Sequence, residues 1–233
     1  MSLPCWSREN RLIQTQEARQ VSYPDYTRAE RIADGIVHVI GVTAALAGVA
    51  LVFFYGLNHM SYGMTIAMTV YCIALVLMLS ASAAYHMAAH TPARPVLRRL
   101  DHAAIYIKIA GTLTPLGVLL GDVFAYSILA LIWLLALKGA ANKLRAAPGE
   151  MTTEWVPQVA LGWLGLALII PLSRALPELS LNLIIAGGII YTSAVVFYCW
   201  ENLRYANAIW HAFVLIATTC CFVGISGAMA GPV

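Results

Sequence analysis

The sequence predicts an all-α membrane protein, a seven-transmembrane-helix bundle with its N-terminus cytoplasmic and its C-terminus outside. Three observations carry this: a shortage of charge, a succession of apolar runs of bilayer length, and basic residues confined to every second connection. Of the 233 residues, 61% are hydrophobic and 11% charged, whereas a soluble domain carries roughly 25% charged residues. So little charge cannot clothe a globule of this size, and lipid has to supply part of its solvent.

A transmembrane helix needs about 20 mostly apolar residues. The first 30 residues form a polar tail without the apolar run of about 7–15 residues that a signal peptide requires, so the first apolar segment is expected to stay in the membrane. Residues 31–233 are expected to form the transmembrane domain. Between Arg31 and Arg94 the sole charge is Asp34, and the polar stretch from Asn58 to Gly63 divides the run into helices near 36–56 and 64–86. From His102 to Leu137 only Lys108 and Asp122 are charged, and Gly121 with Asp122 marks a turn between helices near 101–120 and 123–140. A shorter fifth helix near 157–172, a sixth at 180–200 and a seventh at 208–229 complete the bundle.

Charge placement tests that count. With the N-terminus inside, the tail and the connections 87–100, 141–156 and 201–207 face the cytoplasm. Together with Lys138 at their edge, they hold twelve of the 14 lysines and arginines. The outward segments hold only Arg174, a strong positive-inside bias that one extra or missing helix would scramble. Val233 is then outside.

In a bilayer the most informative residues are the ones that cost most to bury. His38 in the first helix, His86 ending the second, Asp101 and His102 opening the third, Glu201 ending the sixth and His211 near the start of the seventh all fall at one depth. Ser82 and His86 are four residues apart on one helix face, and Asn207 and His211 repeat that spacing. The outward side has only His59, Asp122, Arg174 and Glu178, at or near its loops. This bias suggests a site in the cytoplasmic leaflet. A histidine at a helix end is as readily an interfacial or packing residue, and His90, in a loop, is expected to be solvated. Glu30 and Asp34 are acceptable as acids near a helix N-terminus.

Other residues have structural readings. Lys108, two turns into the third helix, is expected to snorkel toward the cytoplasm or to pair with Asp101. Pro115 within Gly111–Pro115 removes a backbone hydrogen bond and predicts a kink, with the threonine hydroxyls satisfying the freed carbonyl. Gly41, Ala45 and Gly48 form a close-packing row. Cys5 lies in the tail, and Cys72, Cys199, Cys220 and Cys221 lie in apolar runs; these are expected to be buried, unreactive thiols, with no disulfide framework or metal knuckle.

Neutral imidazoles suit zinc, and a catalytic zinc keeps three protein ligands and an open position for water. A nearby carboxylate such as Asp101 can hold or deprotonate that water, and at this depth the available carbonyl belongs to a lipid. Spacing alone does not choose the ligands, because they come from different helices.

Glu30 through Asp34 leading to His38, Ser82 through His86, Arg99 through Tyr106, Gly111 through Pro115, and Asn207 through His211 together resemble the hemolysin-III family. That family stands with the progestin and adipoQ receptors and more remotely with the alkaline ceramidases. The resemblance runs over about residues 28–225. It implies a seven-helix bundle with zinc near the cytoplasmic face, held by one histidine of the second helix and two of the seventh. By position His86 and His211 match metal ligands, Asp101 the carboxylate that holds the attacking water, and Ser82 a polar neighbour. Asn207 stands where the family has its remaining histidine ligand, and Cys221 replaces a further histidine; His38 or His102 could supply the missing imidazole.

Two functions follow. One is a zinc-dependent hydrolase acting on the amide or ester of a membrane lipid, with membrane lipids as partners and no nucleic acid. The other is a non-enzymatic sensor or regulator of membrane state, or a pore-forming hemolysin, with a degraded metal site. A water-filled path needs polar residues in both leaflets, and the outward halves of these helices are apolar. The expected location is the bacterial inner membrane.

Overall fold

The computed structural model describes residues 26–56, 60–88, 91–146, 155–200 and 202–229. Most of the polar tail with Cys5, and His59, His90, Glu201 and Val233, lie outside the described residues. Among those described there is no strand, and seven helices are long and apolar enough to cross a membrane. They are α1 (Arg28–Leu51, extended by a π turn, Val52–Gly56), α2 (Tyr62–Met87), α3 (Arg94–Leu120), α4 (Val123–Arg145), α5 (Val156–Ala175), α6 (Glu178–Tyr198) and α7 (Ala206–Met229). α5 is interrupted by a 3-10 turn at Gly165–Leu168.

Several helices start earlier than hydropathy predicts, because their ends are set by caps rather than by apolar residues. α1 begins at Arg28 rather than near 36. Thr27 and Glu30 form a capping box, with the Thr27 hydroxyl accepting from Glu30 N and the Glu30 carboxylate accepting from Thr27 N. α3 begins at Arg94 with Pro95 in its first turn, where a missing N–H costs nothing. The expected turn between α3 and α4 is present. Gly121 ends α3 at φ +66°, and the Asp122 carboxylate accepts from Ala125 N at 2.7 Å.

In sequence order α1, α2, α3 and α4 pack side by side, α5 lies against α3 and α4, and α6 packs on α7, which returns to α1. Between apolar helices in lipid, association depends on close van der Waals fit more than on water exclusion. Small residues therefore mark the contacts. Gly41 and Ala45 are buried, and a Cβ on Gly48 would lie 2.9 Å from the Phe222 ring, so the α1 row does pack closely, against α7. α2 meets α3 where a Cβ on Gly111 would fall 2.7 Å from Ala74 Cβ. Neither atom can rotate away, so Gly111→Ala is expected to push the two helices apart. A loss of about 1–3 kcal/mol, the range for overpacking, should be read as a lower midpoint of thermal unfolding in detergent.

Two expectations about α3 need correction. Lys108 does not snorkel and does not pair with Asp101. It is 4% exposed, its Nζ donates to the Tyr191 hydroxyl of α6, and it lies 3.9 Å from the centre of that ring. The Tyr191 hydroxyl in turn bonds Thr218 of α7. Snorkelling needs a lipid-facing Cα, and Lys108 lies on the interior stripe that also buries Gly111 and Pro115. The threonines of this helix do not bond the carbonyl that Pro115 frees: Thr112 reaches Lys108 O and Thr114 reaches Ala110 O, each at 2.8 Å. A threonine hydroxyl folds back one turn to the carbonyl four residues earlier, whereas Pro115 frees Gly111. Thr114 also accepts from Trp133 Nε1 of α4 at 3.1 Å.

Candidate metal centre

α1, α3 and α7 begin, and α2 ends, at one end of the bundle, and the polar side chains meet there. Asp34 and His38 lie four residues apart on one face of α1, His86 sits in the last turn of α2, and Asn207 and His211 share a face of α7. Asp34 is the hub. Its Oδ1 is 2.7 Å from His211 Nδ1, and its Oδ2 is 3.2 Å from His86 Nδ1 and 3.6 Å from His38 Nε2. The imidazole centres are 4.4 to 5.0 Å apart. Asp34 is 5% and His38 4% exposed, and the side chains of His86 and His211 are 12% and 10% exposed.

This arrangement fits a cation. Tetrahedral ligands about 2.0–2.1 Å from an ion are about 3.3 Å from one another, within the range of the Asp34 distances. One donor atom from each of the four residues lies within 4.8 Å of all the others, so a modest contraction would bring them onto a single ion. His38 Nε2 is buried without a hydrogen-bond partner, and 3.6 Å from Asp34 Oδ2 is too long for one. An unpaired imidazole nitrogen facing a buried carboxylate is a costly arrangement that a shared cation removes.

Asn207 turns its Nδ2 to the group, 2.9 Å from Asp34 Oδ2 and 3.2 Å from His86 Nδ1. An amide nitrogen donates and has no lone pair for a metal. Asp101 and Ser82 are both buried, and Asp101 lies close enough to Ser82, His86, His38 and Asp34 to interact with them electrostatically. His102 is outside the group. Asp34 was missed in the sequence because the first helix was expected to begin after it, leaving it an acid near a helix terminus. The signal was its spacing of four from His38.

Comparison with known proteins bears on what this arrangement belongs to. Residues 27–222 match the family described as Haemolysin-III related. The chain belongs to the haemolysin-III family. The Hemolysin-3 homolog of Bacillus subtilis (strain 168) is 31% identical to it over 199 residues, covering 84% of this chain and 93% of the relative. Hemolysin-3 of Bacillus cereus is 32% identical over 194 residues, covering 83% and 89%. As a haemolysin-III member with seven helices of spanning length, the protein is an integral membrane protein. The match begins at Thr27, so both acids of α1, Glu30 and Asp34, lie inside the family region.

Proposed function

We propose that Asp34, His86 and His211 hold a zinc ion, with His38 as the fourth side chain in reach, and that the protein hydrolyses an amide or ester bond of a membrane lipid. The observation carrying this reading is the buried Asp101–Ser82 pair beside a three-histidine, one-carboxylate group. That donor set suits zinc better than harder cations. Zinc, when bound, supplies Lewis acidity and brings water toward a pKa of about 7. Asn207 donates to Asp34 Oδ2 and fixes which carboxylate oxygen faces His211. Ser82 orients Asp101, which takes the proton from the attacking water and returns it to the leaving group.

A second reading rests on His38. If all four side chains bind, the centre is closed, and closed zinc sites are structural. The protein would then be a non-enzymatic sensor or regulator of membrane state. The Bacillus relatives' names refer to haemolysis, but the apolar far halves of these helices argue against a pore.

Metal content by mass spectrometry, with lipid amide and ester hydrolysis measured in parallel, separates the readings. The hydrolase predicts about one zinc per chain and turnover that Asp101→Asn abolishes while zinc is retained. Zinc without turnover, released on His38→Ala, would mean the closed site. No metal after zinc is supplied would sink both.

The positive-inside bias supports a cytoplasmic N-terminus in the bacterial inner membrane. Cys199 tests it. Contrary to the expectation of a buried thiol, it is exposed at the end of α6, at the same end of the bundle as the histidines. In a Cys5→Ser background, a membrane-impermeant maleimide is expected to label Cys199 only after intact cells are permeabilised. Labelling without permeabilisation would reverse the orientation.

A further inference from the structure

A small cleft opens beside the metal centre between the start of α1 and the start of α7, lined among others by Glu30, Arg31, Asp34, Tyr205 and Asn207. Two rungs join the helices across it. The inner rung is Asn207 Nδ2 donating to Asp34 Oδ2 at 2.9 Å. The outer rung is Tyr205 N donating to Glu30 Oε1 at 3.1 Å, while Glu30 Oε2 accepts from Thr27 N at 2.8 Å and from the Thr27 hydroxyl at 2.7 Å. Glu30 and Asp34 are one turn apart on the same face, so the rungs lie one above the other.

Tyr205 is held in an unusual conformation. Its φ of +61° is the one positive value on a non-glycine among the described residues. L-residues with a bulky side chain avoid that region, and their presence there at a site points to a restraint. Here the Tyr205 carbonyl starts α7 by accepting from Ile209 N at 2.9 Å, and its N–H is committed to Glu30. The bond to Glu30 is therefore placed to hold Tyr205 at this φ and, with it, the first residues of α7, Asn207 among them.

We propose that Glu30 is a positioning residue, a latch across this cleft that governs how fast a divalent cation enters and leaves the centre. The latch rests on the reading that the group holds a metal. It acts through a hydrogen bond to the backbone rather than through charge, because both carboxylate oxygens are already engaged. The cleft is the aqueous route to Asp34, and the α7 start is its moving wall.

The test uses the full chain in detergent, loaded with zinc and mixed with a chromogenic chelator, with release rate and bound zinc as readouts. Glu30→Ala is expected to release zinc about tenfold faster, the scale of one lost charge-assisted hydrogen bond, at unchanged stoichiometry. Glu30→Gln, whose amide oxygen can accept from Tyr205 N, is expected to restore most of the slow release. Thr27→Ala removes the cap of α1 while leaving the rung to Tyr205, and is expected to stay near the wild-type rate. Equal rates in Glu30→Ala and the wild type would overturn the latch alone. So would release from Glu30→Gln as fast as from Glu30→Ala, or from Thr27→Ala as fast as either. Wild-type protein that holds no zinc would overturn the metal centre and the latch with it.

Discussion

Replacing Asp34 by asparagine is expected to weaken zinc binding by at least about a hundredfold, the upper end of the loss seen when only an outer-shell partner of a metal is removed. Asparagine keeps the size and one oxygen of the side chain but discards the negative charge. Among the described residues, Asp34 is the carboxylate paired with all three imidazoles, at 2.7 to 3.6 Å. The readout is the rise in unfolding temperature on adding zinc, which depends on the ratio of metal concentration to Kd. The wild type should show it and Asp34→Asn should not at the same zinc concentration. An equal zinc shift in both would remove Asp34 from the ligand set. The family resemblance sharpens the test, since Asn207→His restores an imidazole where the family has one. In the Asp34→Asn background it is expected to recover part of the zinc shift.

Lys108→Met is expected to stabilise the protein by about 1–3 kcal/mol, the scale found when buried charged groups give way to apolar ones of similar volume. Lys108 is 4% exposed, and its polar contact is the Tyr191 hydroxyl. A phenol and a ring face repay only part of the dehydration of an ammonium. Methionine fills the same path without charge, and Tyr191 keeps Thr218 as a partner. Tyr191→Phe should do the reverse and lower stability, because it leaves the lysine buried without its hydrogen bond. The two changes together should lie near Lys108→Met alone, and unfolding midpoints in one detergent measure all three. Destabilisation by Lys108→Met would mean that the α3–α6 link outweighs the dehydration.

The span count was legible because it depends on long apolar runs, which any crossing helix must have. So was the convergence of His38, His86 and His211 at one end, which follows from the alternating direction of successive spans. The reach of α1 was not. Its first two turns carry Arg28, Glu30, Arg31 and Asp34, charges that hydropathy assigns to the tail, whereas the capping box of Thr27 and Glu30 puts the helix start before them. Placing the helix start too late hid Asp34, the residue around which the group is organised. Lys108 was misread for a different reason: sequence gives the depth of a residue but not which side of its helix faces lipid. Asn207 shows a third limit, since a ligand position in the resemblance says nothing of which end of an amide turns inward.

The length of α1 sets how deep the histidines lie. Its spanning stretch is 27 residues, Arg28–Phe54, or about 40 Å at 1.5 Å per residue, against a hydrocarbon layer of about 30 Å. The surplus belongs at the charged end, where arginine and glutamate have no place among acyl chains. Asp34 and His38 stand about 9 and 15 Å from that end, close to the level where hydrocarbon gives way to lipid headgroups. An ion arriving from water need not cross the oily layer to reach them. The lipid bonds at that height are the linkages between headgroup and chain, whereas methyl ends of the tails lie far below.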